Sequence, residues 1–363
     1  MGKRVDQAVR SFCRELGNRG VLLGRKLAVD RSASSSMRCR ICGNTKKNEE
    51  LQVAEMFLGS RHMFSYCLCS CCGSLSICKI PKVLGEFYRN YYTVGAPPLL
   101  QSKFRNFLEK ATLNFNADWG SKLASFFLGN QDDFALKAIR RCRVRKNDRI
   151  LDVGCGSGNL VAKLRSFGYV NTIGIDPFVD INSNLSGSLV HKKSMREVDE
   201  KYDLIMFHHS FEHVADPNEI LSCVKKALNK GGECLIRLPN IDSFGFKLFK
   251  NNWFVIHPPY HLNLPSLKGF KMMCSKYGLE IIDFWEEQMP EFLMYSRNYS
   301  KGIGDFDVGG LRAFLGYHSL GLQMPPGFNR KECRYWKKKA KLAAKRQQAD
   351  WRCYCIGIKS DSI

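Results

Sequence analysis

The segment Asp152-Val-Gly-Cys-Gly-Ser-Gly158 limits what this chain can be more than any other feature of it. It follows Asn147-Asp-Arg-Ile-Leu151, a polar loop running into an apolar strand. It leads into Asn159-Leu-Val-Ala-Lys-Leu-Arg165, which has helical periodicity. A strand, a glycine turn and a helix form the corner of a parallel α/β sheet at which nucleotides sit against a helix N-terminus. A Cβ at Gly154, Gly156 or Gly158 would obstruct the tight turn or the close approach of backbone to ligand. Two details separate this loop from a dinucleotide fingerprint. The glycines run G-x-G-x-G rather than G-x-G-x-x-G, and Asp152 stands two residues before the first of them.

The elements that follow keep the same logic. Val170-Asn-Thr-Ile-Gly-Ile-Asp176-Pro reads as the next strand, ending on a second acid. Tyr202 to Phe207 gives a fourth strand, Pro217 to Leu228 an amphipathic helix, Gly231 to Pro239 a fifth strand and Leu279 to Trp285 a sixth. The run Trp351 to Lys359 is again rich in strand formers. With acids at Asp152 and Asp176, the pattern resembles class I S-adenosylmethionine (SAM) dependent methyltransferases. That resemblance implies an α/β fold with a Rossmann-like, seven-stranded sheet, mostly parallel, whose last strand (the 351–359 run) is antiparallel. It also implies SAM as cofactor, bound by Asp152, Gly154, Cys155, Gly156 and Gly158. Asp176 would accept both ribose hydroxyl protons, and His208 would lie along the same edge. The ligand is a sulfonium nucleoside without phosphate, so a carboxylate near the turn helps rather than repels.

The stretches His209-Ser-Phe-Glu-His213-Val-Ala-Asp-Pro217, Leu238-Pro-Asn240-Ile-Asp-Ser243, Trp253 and His257-Pro-Pro-Tyr-His261-Leu are similar to one branch of these enzymes. That branch belongs to surface-polysaccharide, modified-sugar and related natural-product pathways, and the likeness covers roughly residues 136 to 290. It implies a small acceptor such as a sugar or glycan precursor, methylated on oxygen or carbon.

A second constellation lies upstream. Cys39-Arg-Ile-Cys42-Gly43 and Cys69-Ser-Cys-Cys72-Gly73 repeat one C-x-x-C-G device. The two-residue gap lets both thiolates turn onto one ion, and the following glycine permits the positive φ that aims N–H groups at sulfur. Two such knuckles give a tetrahedral, coordinatively closed zinc site, structural or substrate-positioning in role. Cys67, Cys71 and Cys78 crowd the second knuckle, but only Cys69 and Cys72 keep the glycine offset. The alternative is a disulfide cluster. The other cysteines, such as Cys155, Cys223, Cys234 and Cys274, are scattered through core-like segments, and Met1-Gly-Lys-Arg-Val lacks a secretory apolar core. Reduced thiols and a cytoplasmic location are therefore expected. A zinc ribbon ahead of this domain also resembles certain sugar C-methyltransferases.

The expected organisation is a basic arm over 1–37, the ribbon over 38–80, a helical connector over 81–135, the SAM-binding core over 136–287, a basic insertion or substrate cover over 288–349, and the final strand over 350–363. No stretch reaches the roughly 18 to 20 apolar residues of a membrane span. The formal net charge is +22, and much of it falls between Arg330 and Arg346, beside Tyr335 and Trp336. Such a field suits an anionic acceptor, an anionic membrane surface or RNA, or a solvated helix with no partner at all.

Methyl transfer from a sulfonium needs alignment and, for a hydroxyl or acidic carbon, a base. His261, in the loop after the fifth strand, is the first candidate and His213, just past the fourth, the second. His209 and His257 follow, each with structural bracing as the alternative role. His209, Glu212 and His213 have the i, i+3, i+4 spacing of one helical face. Two other functions stay open. One is an RNA (rRNA) methyltransferase with an N-terminal zinc module, although Phe207-His-His-Ser stands where an Asn/Asp-Pro-Pro-Tyr/Phe signature would be expected. The other is a non-catalytic SAM-binding or scaffold protein, against which the intact glycines and acids argue.

Overall fold

The computed structural model describes residues 37–57, 59–82, 134–179, 189–304 and 328–359. The basic arm, most of the expected helical connector and the middle of the basic insertion lie outside them.

Two sheets organise the chain. Near its beginning, β1 (Glu49–Ala54), β2 (Met63–Leu68) and β3 (Leu75–Ile77) form an antiparallel ribbon. The larger sheet begins at β4 (Ile150–Val153), β5 (Thr172–Ile175), β6 (Val190–His191), β7 (Tyr202–His208) and β8 (Leu228–Pro239), and these five run parallel. Next comes β9 (Asn263–Leu264), which leaves this sheet, and β10 (Leu279–Glu287) and β11 (Trp351–Ile358) complete it. The order across it is β10-β11-β8-β7-β4-β5-β6, with β11 antiparallel to both neighbours. This is the seven-stranded arrangement expected from sequence, and the closing strand is the 351–358 run. The chain winds outward from β4 to β6, then returns to place β7 on the other side of β4. The reversal point lies where ligands bind in such sheets, at the carboxyl ends of the strands.

Why these segments become strands is legible in their burial. All four β4 residues are buried, as befits a central parallel strand covered on both faces. On one side α1 (Phe134–Ile139) places Leu136, Ala138 and Ile139 with Ile150, Leu204 and Leu235, and α2 (Asn159–Ser166) adds Leu164. On the other, α3 (Pro217–Ala227) buries Ile220, Leu221 and Val224. Its start is set by Asp216, whose side chain accepts from the Asn218 and Glu219 amides, and by Pro217 in the first turn.

The ribbon does not stand apart from the larger unit. β3 pairs with β9, so a strand from the segment after β8 completes the ribbon's own sheet, with Leu75 opposite Leu264 and Ser76 opposite Asn263. Asn218 Nδ2 donates to the carbonyls of Arg40 and Ile41 at 3.0 and 3.1 Å, and the Ser266 amide donates to Ser74 Oγ at 3.0 Å. α4 (Phe244–Phe249) follows β8, and α5 (Leu267–Lys276) follows β9. In α5, Gly269 lies so close to Ser74 that a Cβ would strike its Oγ and crowd Ile41 at 3.0 Å. The cysteines Cys39, Cys69 and Cys72 share one apolar cluster with Phe207, Phe211 and Phe270. No periodicity announces this union, because a two-residue strand leaves almost no pattern to read.

Within the segment between β10 and β11, α6 (Pro290–Tyr299) stacks Phe292 and Tyr295 on Phe254, with ring centroids 5.3 and 4.9 Å apart. α7 (Arg330–Lys345) turns Cys333, Ala340 and Ala343 inward and leaves its lysines outward. Among the described residues no helix is long and apolar enough to cross a membrane.

Candidate active site

The glycine loop sits at the reversal point. Gly154, Gly156 and Gly158 have φ of 75, 54 and 78°, the left-handed region that glycine alone enters without strain. At Gly154 the need is double, because a Cβ there would come within 2.5 Å of Ser210 Cβ. The loop is closed by amides of Gly154 and Cys155 donating to Ile175 O at 2.8 and 3.2 Å. Gly158 then caps α2 at its N-terminus. Cys155 turns back toward β5, and Gly174 leaves room for its sulfur.

The two sequence-predicted acids end adjacent strands. Asp176 is buried, with Oδ2 accepting from the Gly156 amide at 3.1 Å and Oδ1 from the Phe178 amide at 2.8 Å. Asp152 is buried one strand away; its carboxyl is pushed up to about 7, first by burial and then by the Asp176 charge. Burial also raises Asp176, against the pull of its backbone donors. Two carboxylates at one corner, both short of solvent, favour a cationic ligand. His208 ends β7 on the same edge, its Nδ1 3.3 Å from an Arg237 guanidinium nitrogen. Arg237 in turn holds Glu287 at 2.7 Å.

The histidines gather immediately beside this corner. His209 has φ of 56°, and Phe211–His213 form a single 3-10 turn. The helical face expected for residues 209, 212 and 213 is therefore absent. The tight reversal nevertheless brings His209 Nδ1 to 3.8 Å from Glu212 Oε1. From the loop after β8, His261 Nε2 approaches the same oxygen at 3.9 Å. The opposite nitrogen of His261 lies 2.7 Å from Val255 O, and His213 Nδ1 lies 2.8 Å from Tyr260 O. A carbonyl can only accept, so the His261 contact places the proton of that neutral ring on Nδ1, while His213 has a second backbone partner in His209. Glu212 is fully buried, no side chain among the described residues donates to its carboxyl within hydrogen-bond distance, and burial pushes that carboxyl up to about 8 against the pull of its own backbone amide. Burial likewise lowers His213 to about 4 and His257 to about 3. His257 packs edge-on to Phe57 at 4.6 Å, so it lines the ribbon side of the cluster.

The sequence named the histidines and grouped Glu212 with His209 and His213, but nothing in spacing reveals that the Glu212 carboxyl is enclosed. Sequence reasoning missed Ser210, whose hydroxyl donates to Val153 O at 2.6 Å and ties the histidine turn to the glycine loop. The ribbon reaches this region too: Tyr66 OH donates to His261 O at 2.9 Å.

The four ribbon cysteines lie together. Cys39, Cys42, Cys69 and Cys72 place all four sulfurs within 4.8 Å of one another, with Cys39–Cys72 at 3.7 Å and Cys42–Cys69 at 3.5 Å. A tetrahedron with metal–sulfur bonds of about 2.3 Å has edges of about 3.8 Å, so the donor set fits a thiolate-bound ion. Gly43 and Gly73 have φ of 78 and 73°. Each amide returns to the first cysteine carbonyl of its knuckle at 2.9 Å.

A family model described as a methyltransferase domain matches residues 127–283. The tRNA U34 carboxymethyltransferase of Campylobacter concisus (strain 13826) is 29% identical over 139 residues, 35% of this chain and 48% of that protein. The ubiquinone biosynthesis O-methyltransferase of Ruegeria sp. (strain TM1040) is 32% identical over 95 residues, 23% of this chain and 38% of that protein. The chain thus spans about half or less of the length of these curated relatives. Among solved structures, an O-methyltransferase from a Brevibacillus brevis trans-AT PKS multienzyme, in complex with S-adenosyl-L-homocysteine, has 12% identity and a TM-score of 0.38. That alignment covers 62% of this chain and 72% of that one. A Haemonchus contortus phosphoethanolamine N-methyltransferase in complex with SAM has 19% identity and a TM-score of 0.38, covering 72% and 60%. With the strand order and the glycine–acid corner, the family match shows that this chain carries a class I SAM-dependent methyltransferase domain.

Calorimetry gives a direct test of the corner. Asp176→Ala is expected to weaken SAM binding roughly 10- to 100-fold, the loss of two hydrogen bonds at about 1 kcal/mol each. Because the Asp152 carboxyl is raised to about 7, the apo protein takes up a proton as pH falls through that value. The ionised form favours a cationic ligand, so SAM affinity should rise from pH 5.5 to pH 8, and Asp152→Asn should flatten that rise. A pH-independent affinity in the unaltered protein would contradict the assignment.

Proposed function

We propose that this protein transfers a methyl group from SAM to a hydroxyl or acidic carbon of a small acceptor, a sugar or glycan precursor. The observation that carries the reading is the juxtaposition of the glycine–acid corner with the His209–Glu212–His213–His261 cluster. Ser210 belongs to both. When bound, SAM supplies an activated methyl on a positive sulfur. Asp152, the Gly154–Gly158 loop with Cys155, Asp176 and His208 would hold it. The His209–Glu212–His213–His261 cluster forms the proton-accepting side of the site, which a hydroxyl or C–H acceptor requires, and His261 and His213 are the bases that the sequence offers first.

Zinc at Cys39, Cys42, Cys69 and Cys72 belongs to the same reading, as a structural ion. Its sulfurs are enclosed, and the ribbon it holds braces the His257–His261 loop through Tyr66 and Phe57. The fifteen described cysteines are all free thiols, which supports a reducing, cytoplasmic setting. The excess of positive charge suits a phosphorylated or otherwise anionic acceptor, and leaves room for peripheral contact with an anionic membrane surface.

A second reading, RNA as acceptor, is favoured by α7. Its single acid, Glu332, is taken up by Arg297 at 2.6 Å, and Lys337, Lys338, Lys341 and Tyr335 are exposed. One of the matched relatives is named as acting on tRNA.

Metal analysis of the purified protein should find about one zinc per chain. Cys39→Ser/Cys42→Ser should lose it, and retention of zinc by that variant would remove the ribbon assignment. For the acceptor, radiolabelled SAM is supplied to nucleotide-sugar, lipid-linked glycan and total RNA pools. Label in a sugar pool supports the leading reading, label in RNA replaces it with the second, and label in none of them removes both.

A further inference from the structure

Of the histidines in the cluster, only one combines a side chain partly open to solvent with a position against the cofactor loop. His261 is 6% exposed, its Nδ1–H is spent on Val255 O, and its Nε2 faces Glu212. His213 has its Nδ1 against Tyr260 O. The His209 side chain is 38% exposed, yet its Nδ1 is buried against Glu212. The open part of the ring is therefore the edge that carries Nε2. His209 precedes Ser210, the residue that touches Gly154 and Val153, so this open edge lies next to the methyl-donor corner. Its backbone is held there by the His209 amide donating to Arg237 O at 3.1 Å, in a left-handed conformation that a non-glycine residue keeps only under constraint. Trp351 packs edge-on at 4.2 Å and fixes the plane of the ring.

We propose that His209, through Nε2, is the catalytic base that touches the acceptor, and that Glu212 is its positioning residue. This rests on the methyl-transfer reading above and deepens it. A Glu212 oxygen that accepts His209 Nδ1–H leaves the lone pair on Nε2, directed at the acceptor. This is the same division of labour as in carboxylate–histidine pairs that work on hydroxyl nucleophiles. The 3.8 Å separation is longer than a hydrogen bond and would shorten when an acceptor closes the site. In the step itself, a lone pair of the acceptor atom attacks the methyl carbon. The carbon–sulfur bond breaks with its electrons going to sulfur, and the acceptor proton moves to His209 Nε2. The products are methylated acceptor, S-adenosylhomocysteine and an imidazolium that returns its proton to water.

The test has an arm that needs no acceptor. Diethyl pyrocarbonate is applied to the apo protein and carbethoxylation mapped by peptide mass spectrometry. His209 should react at least about tenfold faster than His213 or His261, and an unreactive His209 would overturn the assignment. In the second arm, methyl transfer is followed with the labelled pool that serves as acceptor. His209→Ala should lose roughly 10²- to 10⁴-fold in rate with SAM affinity within about twofold of the unaltered protein, and added imidazole should restore part of the rate. Glu212→Gln should also slow transfer and abolish the rapid modification of His209. Retention of most of the rate in His209→Ala would sink the proposal, as would a loss without imidazole rescue. So would a Glu212→Gln protein that has lost a bound metal ion, since the lone pairs around Glu212 would then serve a cation. If no pool accepts label from the unaltered protein, the acceptor reading fails, while the order of histidine reactivity still decides the role of His209.

Discussion

Two carboxyl groups on neighbouring strands, Asp152 on β4 and Asp176 just after β5, set the terms for everything around them. Both are buried, both are pushed upward by that burial, and the charge of Asp176 adds to the load on Asp152. A corner that concentrates negative charge out of water is costly unless something positive or proton-donating occupies it. The fold keeps it because the same corner holds the glycine loop: Asp176 binds the Gly156 amide, and Gly154 and Cys155 bind Ile175 O. Removing an acid would therefore loosen the loop as well as the ligand. The strand order places this corner at the reversal point of the sheet, where the ends of β4, β5, β7 and β8 all open the same way.

From that corner the chemistry spreads through one residue. Ser210 reaches back to Val153, which lets the turn after β7 sit against the loop, and the turn delivers His209 and Glu212. The ribbon is the outer support of the arrangement. It shares a sheet with β9, binds the backbone of His261 through Tyr66 and packs Phe57 on His257. A ribbon so placed need not touch an acceptor to matter, because it braces the loop that carries His257 and His261.

Much of this was legible in the chain itself. The G-x-G-x-G loop, the acids and the apolar, strand-forming runs of β7, β8 and β11 are local patterns, and local patterns survive in sequence. So do the two C-x-x-C-G knuckles, whose spacing is dictated by bond geometry. What escaped were relations between distant segments. The two-residue strands β6 and β9 are too short to carry periodicity, and the union of ribbon and core depends on β9. The spacing of His209, Glu212 and His213 suggested a helix. Instead the chain takes a left-handed residue and a single tight turn, because Ser210 must meet Gly154. Full enclosure of Glu212 depends on the distant loop after β8, whose Leu262 amide donates to the Glu212 carbonyl at 2.8 Å, and spacing does not encode that contact.

A crystal structure of the protein with S-adenosylhomocysteine tests this account most directly. The nucleoside should lie across the carboxyl ends of β4 and β5, its ribose hydroxyls within hydrogen-bond reach of Asp176 and its amino-acid end beside the Gly154–Gly158 loop. A ligand bound elsewhere, or a corner closed over by the protein's own side chains with Asp152 and Asp176 turned from any common space, would contradict it.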